Sequence, residues 1–545
     1  QYIPLQSPSP MTSPTPQLIY TAISFAPVQG FIEKSRKLRD LYGASQILSY
    51  LSAKIVRRAE SIGTVISPVL SKDGSNADLI QGMPNRILIE GKFSYNDAKS
   101  ALAEGWNEII SSCRAWIEQH RDLSNEFTFS EENWGRAWTK WKIHAWEVFW
   151  GEGSSIEQAM IALETNKLRR DWIVPNWNGE GSSLSGTDGI AYPNMDSTVG
   201  YKYNPGKERE KIQKFYQELA KALENAKQKD DPKFLDSTEW LSIPELIKRL
   251  VTHHQVAQHI DQQQSLYAKS FREMLRINDK EKGEQGGYWT GWFMGDGDQV
   301  GKYLKGLETA EEVQDFSRNL RTWGKTFHDD FNGTLKLGRV VYAGGDDFLG
   351  VMYGTPGEPQ RTGEEVIKFL VDLGKRWQAG KLGVSLSVGF VWAGHSVPQR
   401  DVLQHCREAE KRSKNLGRNR VTIRILFNNG QFIDWTTPWQ YLEWLKDYRD
   451  RNGKTGKDAN WSHVYSDLAQ LKARHAIPPK TAQKTDDAVA LSLLGLYFGK
   501  NELGEDKKIE LSKNRKLITG SEGTESVIAW IDGMIQVGWQ LCSNS

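Results

Sequence analysis

Tyr288–Leu304 reads YWTGWFMGDGDQVGKYL, Gly338–Gly354 reads GRVVYAGGDDFLGVMYG, Val384–Ala393 reads VSLSVGFVWA and Ala409–Leu426 reads AEKRSKNLGRNRVTIRIL. The first is an apolar run that ends in two aspartates. The second is two apolar runs separated by Gly-Gly-Asp-Asp, and the third is rich in valine and aromatic residues. The fourth begins as a charged helical pattern and ends as an alternating strand. Amphipathic helical segments fill the intervals. The order strand, helix, strand-turn-strand, helix, strand, helix, strand predicts a ferredoxin-like palm.

Within this unit, Asp296 and Asp298 stand two residues apart, a spacing that puts both side chains on one face of a strand and lets them share a cation. Asp346 and Asp347 fall at the turn between two strands, where Gly344 and Gly345 are expected to take positive φ and admit a phosphate close to the backbone. Carboxylates from adjacent strands suit magnesium, which takes one or two protein carboxylates and completes its shell with water and phosphates. Two such ions would activate a ribose hydroxyl and stabilise a leaving pyrophosphate. Without a cation the four acids would repel one another and raise one another's pKa. Lys414 and Arg418, four apart at the expected helix end, supply counter-charge within reach of one phosphate chain. Alone, GGDD also describes a solvated acidic turn; DGD before it and the basic helix end after it favour a site.

Outward from this unit, Leu18 to about residue 105 reads as an earlier strand-helix unit, with strands near Thr64–Pro68 and Arg86–Glu90. Helical patterns follow through Trp150. Asn176–Gly206 reads as loop, Lys207–Lys229 and Ile243–Arg276 as charged helices, and Phe427–Ser545 as a small helical region. The first 17 residues carry five prolines and no signal-peptide pattern, so they read as a disordered lead-in. The predicted fold class is α+β multidomain, two ferredoxin-like palms plus helical domains. Its divisions are 1–17, 18–155 (first, degenerate palm with a helical extension), 156–286 (helical), 287–428 (second, active palm) and 429–545 (helical).

The composition narrows the function. In 545 residues, 70 Lys and Arg against 68 Asp and Glu leave a net charge of +2, so a polyanion would be held by local patches. No run approaches the roughly 18 apolar residues of a membrane span. The three cysteines, Cys113, Cys406 and Cys542, form no CxxC and suit a reducing cytoplasm. Several of the 21 tryptophans crowd between Trp106 and Trp177, and most of the 21 are expected to pack between helices; base stacking is the alternative. Arg36 and Arg39 are candidates for RNA or partner contact, with a solvated helix face as the alternative.

GGDDF and KNLGRNRV resemble the signature of nucleotidyl-cyclase palms such as the GGDEF diguanylate cyclases. The wider set, SFAPVQGFIEKSRKLRDLYGASQILSYL from Ser24, then ISP, GMPNR, GDGDQVGKYL and YAGGDDFLGVM in that order, is similar to another member of that group. This is the Cas-ten-type large subunit of type III-B CRISPR effector complexes, often called Cmr-two. The resemblance implies a target-RNA-activated synthase that makes cyclic oligoadenylate from ATP in antiviral defence, with Mg²⁺ or Mn²⁺ as cofactor. It implies CRISPR RNA, target RNA and the other Cmr subunits as partners. By position, Asp296, Asp346 and Asp347 would be catalytic metal ligands and Asp298 a further one. Gly344 and Gly345 would shape the phosphate site, and Lys414 and Arg418 would bind triphosphate.

The sequence departs from that family in two places. No HD nuclease domain is expected, because His328-Asp329 stands alone within the second palm and His253, His254 and His259 read as ordinary helix residues. No zinc is expected either, because the family's cysteine positions fall on Ser182, Ser185, Ser242 and Glu245, and thiolates hold such an ion. Two other functions compete. One is a scaffold whose palm is inactive, against which both acid pairs speak. The other is a diguanylate cyclase, which the flanking domains disfavour.

Overall fold

The computed structural model describes residues 18–543 apart from 71–81, 171–172, 174, 196–203, 228–232, 261–273, 275–287, 308, 355–359, 478–486, 500–504 and 521–525. The expected lead-in lies outside the described residues. Two sheets organise the chain. The first contains β1 (Tyr20–Ala26), β2 (Thr64–Ser67), β3 (Arg86–Glu90) and β4 (Glu147–Gly153) in the order β2-β3-β1-β4, every pair antiparallel. Helix Leu38–Glu60 connects β1 to β2, and helix Tyr95–Gln119 follows β3. β1 is buried on both faces: Ile23 and Phe25 join the main core, while Ala22 meets Leu88, Phe149 and Leu163 on the other side.

The second sheet contains β5 (Thr290–Gly297), β6 (Gly338–Ala343), β7 (Asp347–Met352), β8 (Leu386–Ala393), β9 (Arg420–Leu426) and β10 (Phe432–Pro438). Its order is β10-β9-β8-β5-β7-β6, parallel only between β8 and β9. Within it, β6-β7-β5-β8 repeats the strand order of the first sheet, so the chain holds the ferredoxin-like arrangement twice. Phe293, Phe348 and Phe390 point into the core shared with helices Ala310–Asp329 and Gly363–Ala379. Trp292, Leu349 and Val391 point the other way, into the core that also contains Val402 and Cys406 of helix Gln399–Asn415. Alternation therefore puts Asp296, two and four residues beyond Met294 and Trp292, on that second face.

The two units dock side by side. Helix Ala310–Asp329 covers the edge of the first sheet: Gln314 Nε2 donates to the Val65 carbonyl at 3.1 Å, and Ser67 and Ser317 hydroxyls lie 3.3 Å apart. Arg407 pairs with Glu33 across the junction. Behind the first unit, Arg249 in helix Ile243–Leu250 binds Asp40 bidentately at 2.9 Å and also Glu239 at 2.6 Å, all three buried. Burial alone would push the Asp40 carboxyl up, yet Arg249 and the backbone N–H groups of Arg36 and Lys37 bring it down to about 2. The cluster fastens the start of helix Leu38–Glu60 to the region that follows residue 233.

Four sequence expectations change. Glu147–Gly153 is a strand where helix was expected through Trp150, because it completes the β1 edge in register from Ala26 opposite Glu147 to Tyr20 opposite Gly153. Phe432–Pro438 is a strand within the stretch read as helical; the turn at Gly430, with φ +80°, folds it back on β9. Ile243–Arg276 is not one helix: it stops at Leu250, the Thr252 hydroxyl donates back to the Arg249 carbonyl at 2.7 Å, and His254–Ile260 begins anew. Beyond Ile260 that segment falls almost wholly outside the described residues.

The fourth is Arg39, offered for RNA contact. It is 2% exposed and lies 3.8 Å above the Phe234 ring, so it is core, whereas Arg36 stays largely exposed. The packing reading of the tryptophans holds for Trp106, Trp134 and Trp138, which are fully buried, and for Trp146, which lies edge-on to Phe25 and Trp106. Among the described residues no helix is long and apolar enough to cross a membrane.

Candidate active site

Asp296 is the last-but-one residue of β5, and Asp347 is the first of β7. The β5–β7 ladder sets them directly opposite each other, with Ser387 of β8 opposite Asp296 on the other side. Like charges opposed in a ladder are unfavourable unless something neutralises them. Asp346 is the final residue of the Gly344–Asp346 turn, where its carbonyl accepts the Gly297 N–H at 2.8 Å and ties the turn to the end of β5. The three acids share one electrostatic neighbourhood. Desolvation by the packed turn, and then repulsion from Asp296, raise Asp346 to about 6. Desolvation, then Asp346 and Asp296, raise Asp347 to about 7. Asp347 remains open to solvent at its side chain, so we assign its upward direction chiefly to repulsion by its two neighbours. Asp296 is also raised, by burial first, although Lys414 pulls it back.

The counter-charge comes from helix Gln399–Asn415. Lys414 Nζ lies 2.7 Å from Asp296 Oδ2 and 2.5 Å from Glu410 Oε1, an ammonium held between two carboxylates. Glu410 is a site neighbour that the sequence alone did not single out; its signal is the Glu-to-Lys spacing of four on one helical face. Arg418 does not continue that face. The helix ends at Asn415, and Arg418 sits beyond it with φ +63°, exposed. The expected helical Lys414–Arg418 pair is therefore replaced by one lysine in the site and one arginine on the turn beside it.

Asp298 is set apart from the other acids. β5 ends at Gly297, and the Asp298 carboxylate accepts the Ser387 hydroxyl at 2.7 Å, the Ser385 hydroxyl at 2.8 Å and the Asn419 N–H at 2.9 Å. Both its oxygens are committed to fastening β5, β8 and the turn before β9. The Asp298 charge still reaches Asp296 and raises it, while the ladder sets Asp347 directly opposite Asp296.

The glycines also have another reason to be glycine. Neither Gly344 nor Gly345 has a positive φ. A Cβ on Gly344 would fall inside the Gly82 carbonyl of the GMPN loop of the first unit, and one on Gly345 would come within 3.3 Å of Pro84. The GGDD turn is pressed against the other unit, and close approach rather than backbone twist excludes a side chain at Gly344. The GMPN loop is itself tied down by the Ser49 hydroxyl on the Met83 N–H at 3.0 Å and by Asn85 Nδ2 donating to the Phe25 carbonyl at 3.1 Å.

The two units differ at matching places. In the first sheet Ser24 lies opposite Arg86 and Phe149, just as Asp296 lies opposite Asp347 and Ser387 in the second. Ser and Arg thus stand where the second unit has two aspartates, so the first offers no acid pair. Its Arg86 lies near enough to Asp346 to lower that carboxyl's pKa, although burial and Asp296 together outweigh it. The sequence had shown Arg86 only as part of a motif.

The donors are all oxygen, which suits a hard divalent cation. Among the described residues no three His, Cys, Asp or Glu side chains converge as a ready cage, so the fit is to an ion completed by water and phosphate. Between about pH 4 and 7 the folded chain holds more protons on Asp346 and Asp347 than the unfolded chain, whose carboxyls titrate near 3.8. Stability therefore falls as pH rises through that window. Asp346→Asn with Asp347→Asn should melt higher than the parent at pH 8 without divalent cation and alike at pH 4. Added Mg²⁺ should raise the parent alone; thermal melts across pH check this.

Elsewhere, the Ser182 hydroxyl donates to Glu245, whose other contact is the Ser242 N–H at 2.8 Å, while Ser185 accepts from Thr187 at 3.2 Å. The Ser185 N–H also reaches the Ser182 hydroxyl at 3.4 Å, so the four positions matched to the family's cysteines form one hydrogen-bonded cluster. His253 is buried, its ring against His254, Phe234 and Trp116. His328 contacts Asp329 and Asn332, away from the other histidines named.

Two family descriptions match this chain: the second palm domain of Cas10/Cmr2 over residues 289–422, and the N-terminal region of the CRISPR-associated protein Cmr2 over residues 20–111. Among solved structures, it is similar to Csm1 in T. onnurineus, at 15% identity and a TM-score of 0.46, covering 97% of this chain and 70% of that one. It is also similar to a Csm1–Csm4 cassette in complex with cA4, at 15% identity and a TM-score of 0.47, covering 96% and 70%. A Csm1–Csm4 cassette in complex with AMPPNP matches at 14% identity and a TM-score of 0.47, covering 96% and 70%. No curated protein matches the chain.

Proposed function

From a chain that carries both the second palm domain of Cas10/Cmr2 and the Cmr2 N-terminal region, we propose the large subunit of an RNA-guided type III-B CRISPR effector complex. Its acid site joins ATP into cyclic oligoadenylate once target RNA is bound. The partners are the other effector subunits, the CRISPR RNA and the target RNA. In the reaction a ribose 3′-hydroxyl oxygen bonds to the α-phosphorus of a second ATP. The bond from that phosphorus to the β-bridging oxygen breaks, pyrophosphate leaves, and the hydroxyl proton passes to solvent or to a site carboxylate.

The observation that carries this reading is the Asp296–Asp347 pair, opposed across the ladder with Asp346 beside it at the junction of the two palms. Asp296, Asp346 and Asp347 would hold Mg²⁺ or Mn²⁺, which when bound supplies positive charge to the phosphates and the attacking oxygen. Asp298 keeps the end of β5 in place, and Lys414 and Arg418 present positive charge to the triphosphate. Gly344 and Gly345 let the acidic turn lie flush against the first palm, whose Arg86, paired with Glu164 at 2.8 Å, adds positive potential at Asp346. Nucleotide choice tests the reading against a diguanylate cyclase. The assembled complex should release pyrophosphate from ATP in preference to GTP, and preferential GTP turnover to a cyclic dinucleotide would overturn it.

A further inference from the structure

Lys414 occupies the place where the site most needs positive charge before any ligand arrives. Its ammonium is 2.7 Å from Asp296 and 2.5 Å from Glu410, with each of these side chains about one third exposed or less. The same charge is felt by Asp346 and Asp347. Around the ammonium stand the carboxylates Asp296, Asp346, Asp347 and Glu410, with the Asp298 charge also reaching Asp296 and Glu410; Arg86 of the first palm, paired with Glu164 at 2.8 Å, acts on Asp346 at longer range. A divalent cation on Asp296 and the ammonium on the same carboxylate compete for one oxygen pair. Glu410 lies one helical turn before Lys414, so the lysine can leave Asp296 without losing its partner.

We propose that Lys414 is a resident counter-cation that blocks Asp296 in the unliganded site, and that Glu410 is a positioning residue that retains the lysine when metal displaces it, leaving it aimed at phosphate. The proposal rests on the reading of Asp296, Asp346 and Asp347 as metal ligands. It gives Lys414 opposite effects on two ligands: it opposes metal bound alone and favours nucleotide. A lysine that served only as a phosphate contact, or only as a surface ion pair, would not weaken metal binding.

The test is Mn²⁺ binding to the full chain without nucleotide, read from the electron paramagnetic resonance signal of free Mn²⁺. Lys414→Met and, as a second variant, Lys414→Gln should bind Mn²⁺ about tenfold more tightly, the lower end of what one opposite charge at such a distance does to a carboxylate's affinity for a proton. Both should bind ATP in the presence of Ca²⁺ about tenfold more weakly. Glu410→Gln should weaken Mn²⁺ binding, because the lysine is then held by Asp296 alone, and this effect should shrink once Lys414 is also replaced. Unchanged or weaker Mn²⁺ binding in both Lys414 variants, with parent binding still dependent on Asp346 and Asp347, would overturn the proposal and leave the site reading standing. Parent binding no stronger than that of the Asp346→Ala, Asp347→Ala chain would overturn both.

Discussion

Replacing Asp346 and Asp347 together with alanine is expected to lower oligoadenylate synthesis more than about a thousandfold while the chain still folds and assembles. A bound metal contributes several kcal/mol of charge stabilisation to a phosphoryl transition state, and each 1.4 kcal/mol is about tenfold in rate. The two residues close the β6–β7 turn and open β7 without entering either core: Phe348 is the first core residue after them. Their removal also relieves repulsion, so the variant should melt no lower than the parent at neutral pH without metal. Mass spectrometry of products and a thermal melt check the two halves separately. Loss of synthesis accompanied by a lower melting temperature would point instead to damage in the fold.

Gly344→Ala is expected to carry the second-largest effect, a loss of about 3 kcal/mol or more, the upper end of what overpacking costs. The atom its Cβ would strike is the Gly82 carbonyl, backbone of a loop that Ser49 and Asn85 hold in place, so no side-chain rotation can make room. Either the acidic turn shifts or the two palms part, and in both cases the Asp296–Asp347 register suffers. Gly345→Ala faces only the Pro84 ring at 3.3 Å and should cost less than about 1 kcal/mol. Denaturant unfolding of the two variants measures the difference. Equal stability for Gly344→Ala and the parent would mean that the palms are not pressed together at this point.

The second palm was legible in the sequence because its strands are apolar runs bounded by acidic or glycine-rich turns, and its helices keep a clear period. The acids were legible for the same reason, since strand ends carry them at recognisable spacings. Their pairing was not. Asp296 and Asp298 look alike at i and i+2, and only the end of β5 at Gly297, with Ser385, Ser387 and Asn419 gathered around Asp298, distinguishes their surroundings. Likewise, GG beside DD suggested backbone freedom, whereas the constraint comes from a loop more than 250 residues earlier in sequence. The strands Glu147–Gly153 and Phe432–Pro438 escaped because each is an edge strand whose pairing partner is distant or lies before an Asn-rich turn. Tertiary pairing, not local propensity, made them strands.

The role proposed for the Asp296–Asp347 pair is RNA-gated polymerisation of ATP. The most direct measurement is mass spectrometry of products from the guide-RNA complex incubated with ATP and Mg²⁺ or Mn²⁺, with and without complementary target RNA. Cyclic oligoadenylate that depends on target and disappears in the Asp346→Ala, Asp347→Ala chain is the expected result. An intact, target-bound complex that makes no oligoadenylate from ATP would contradict it and leave the chain a scaffold.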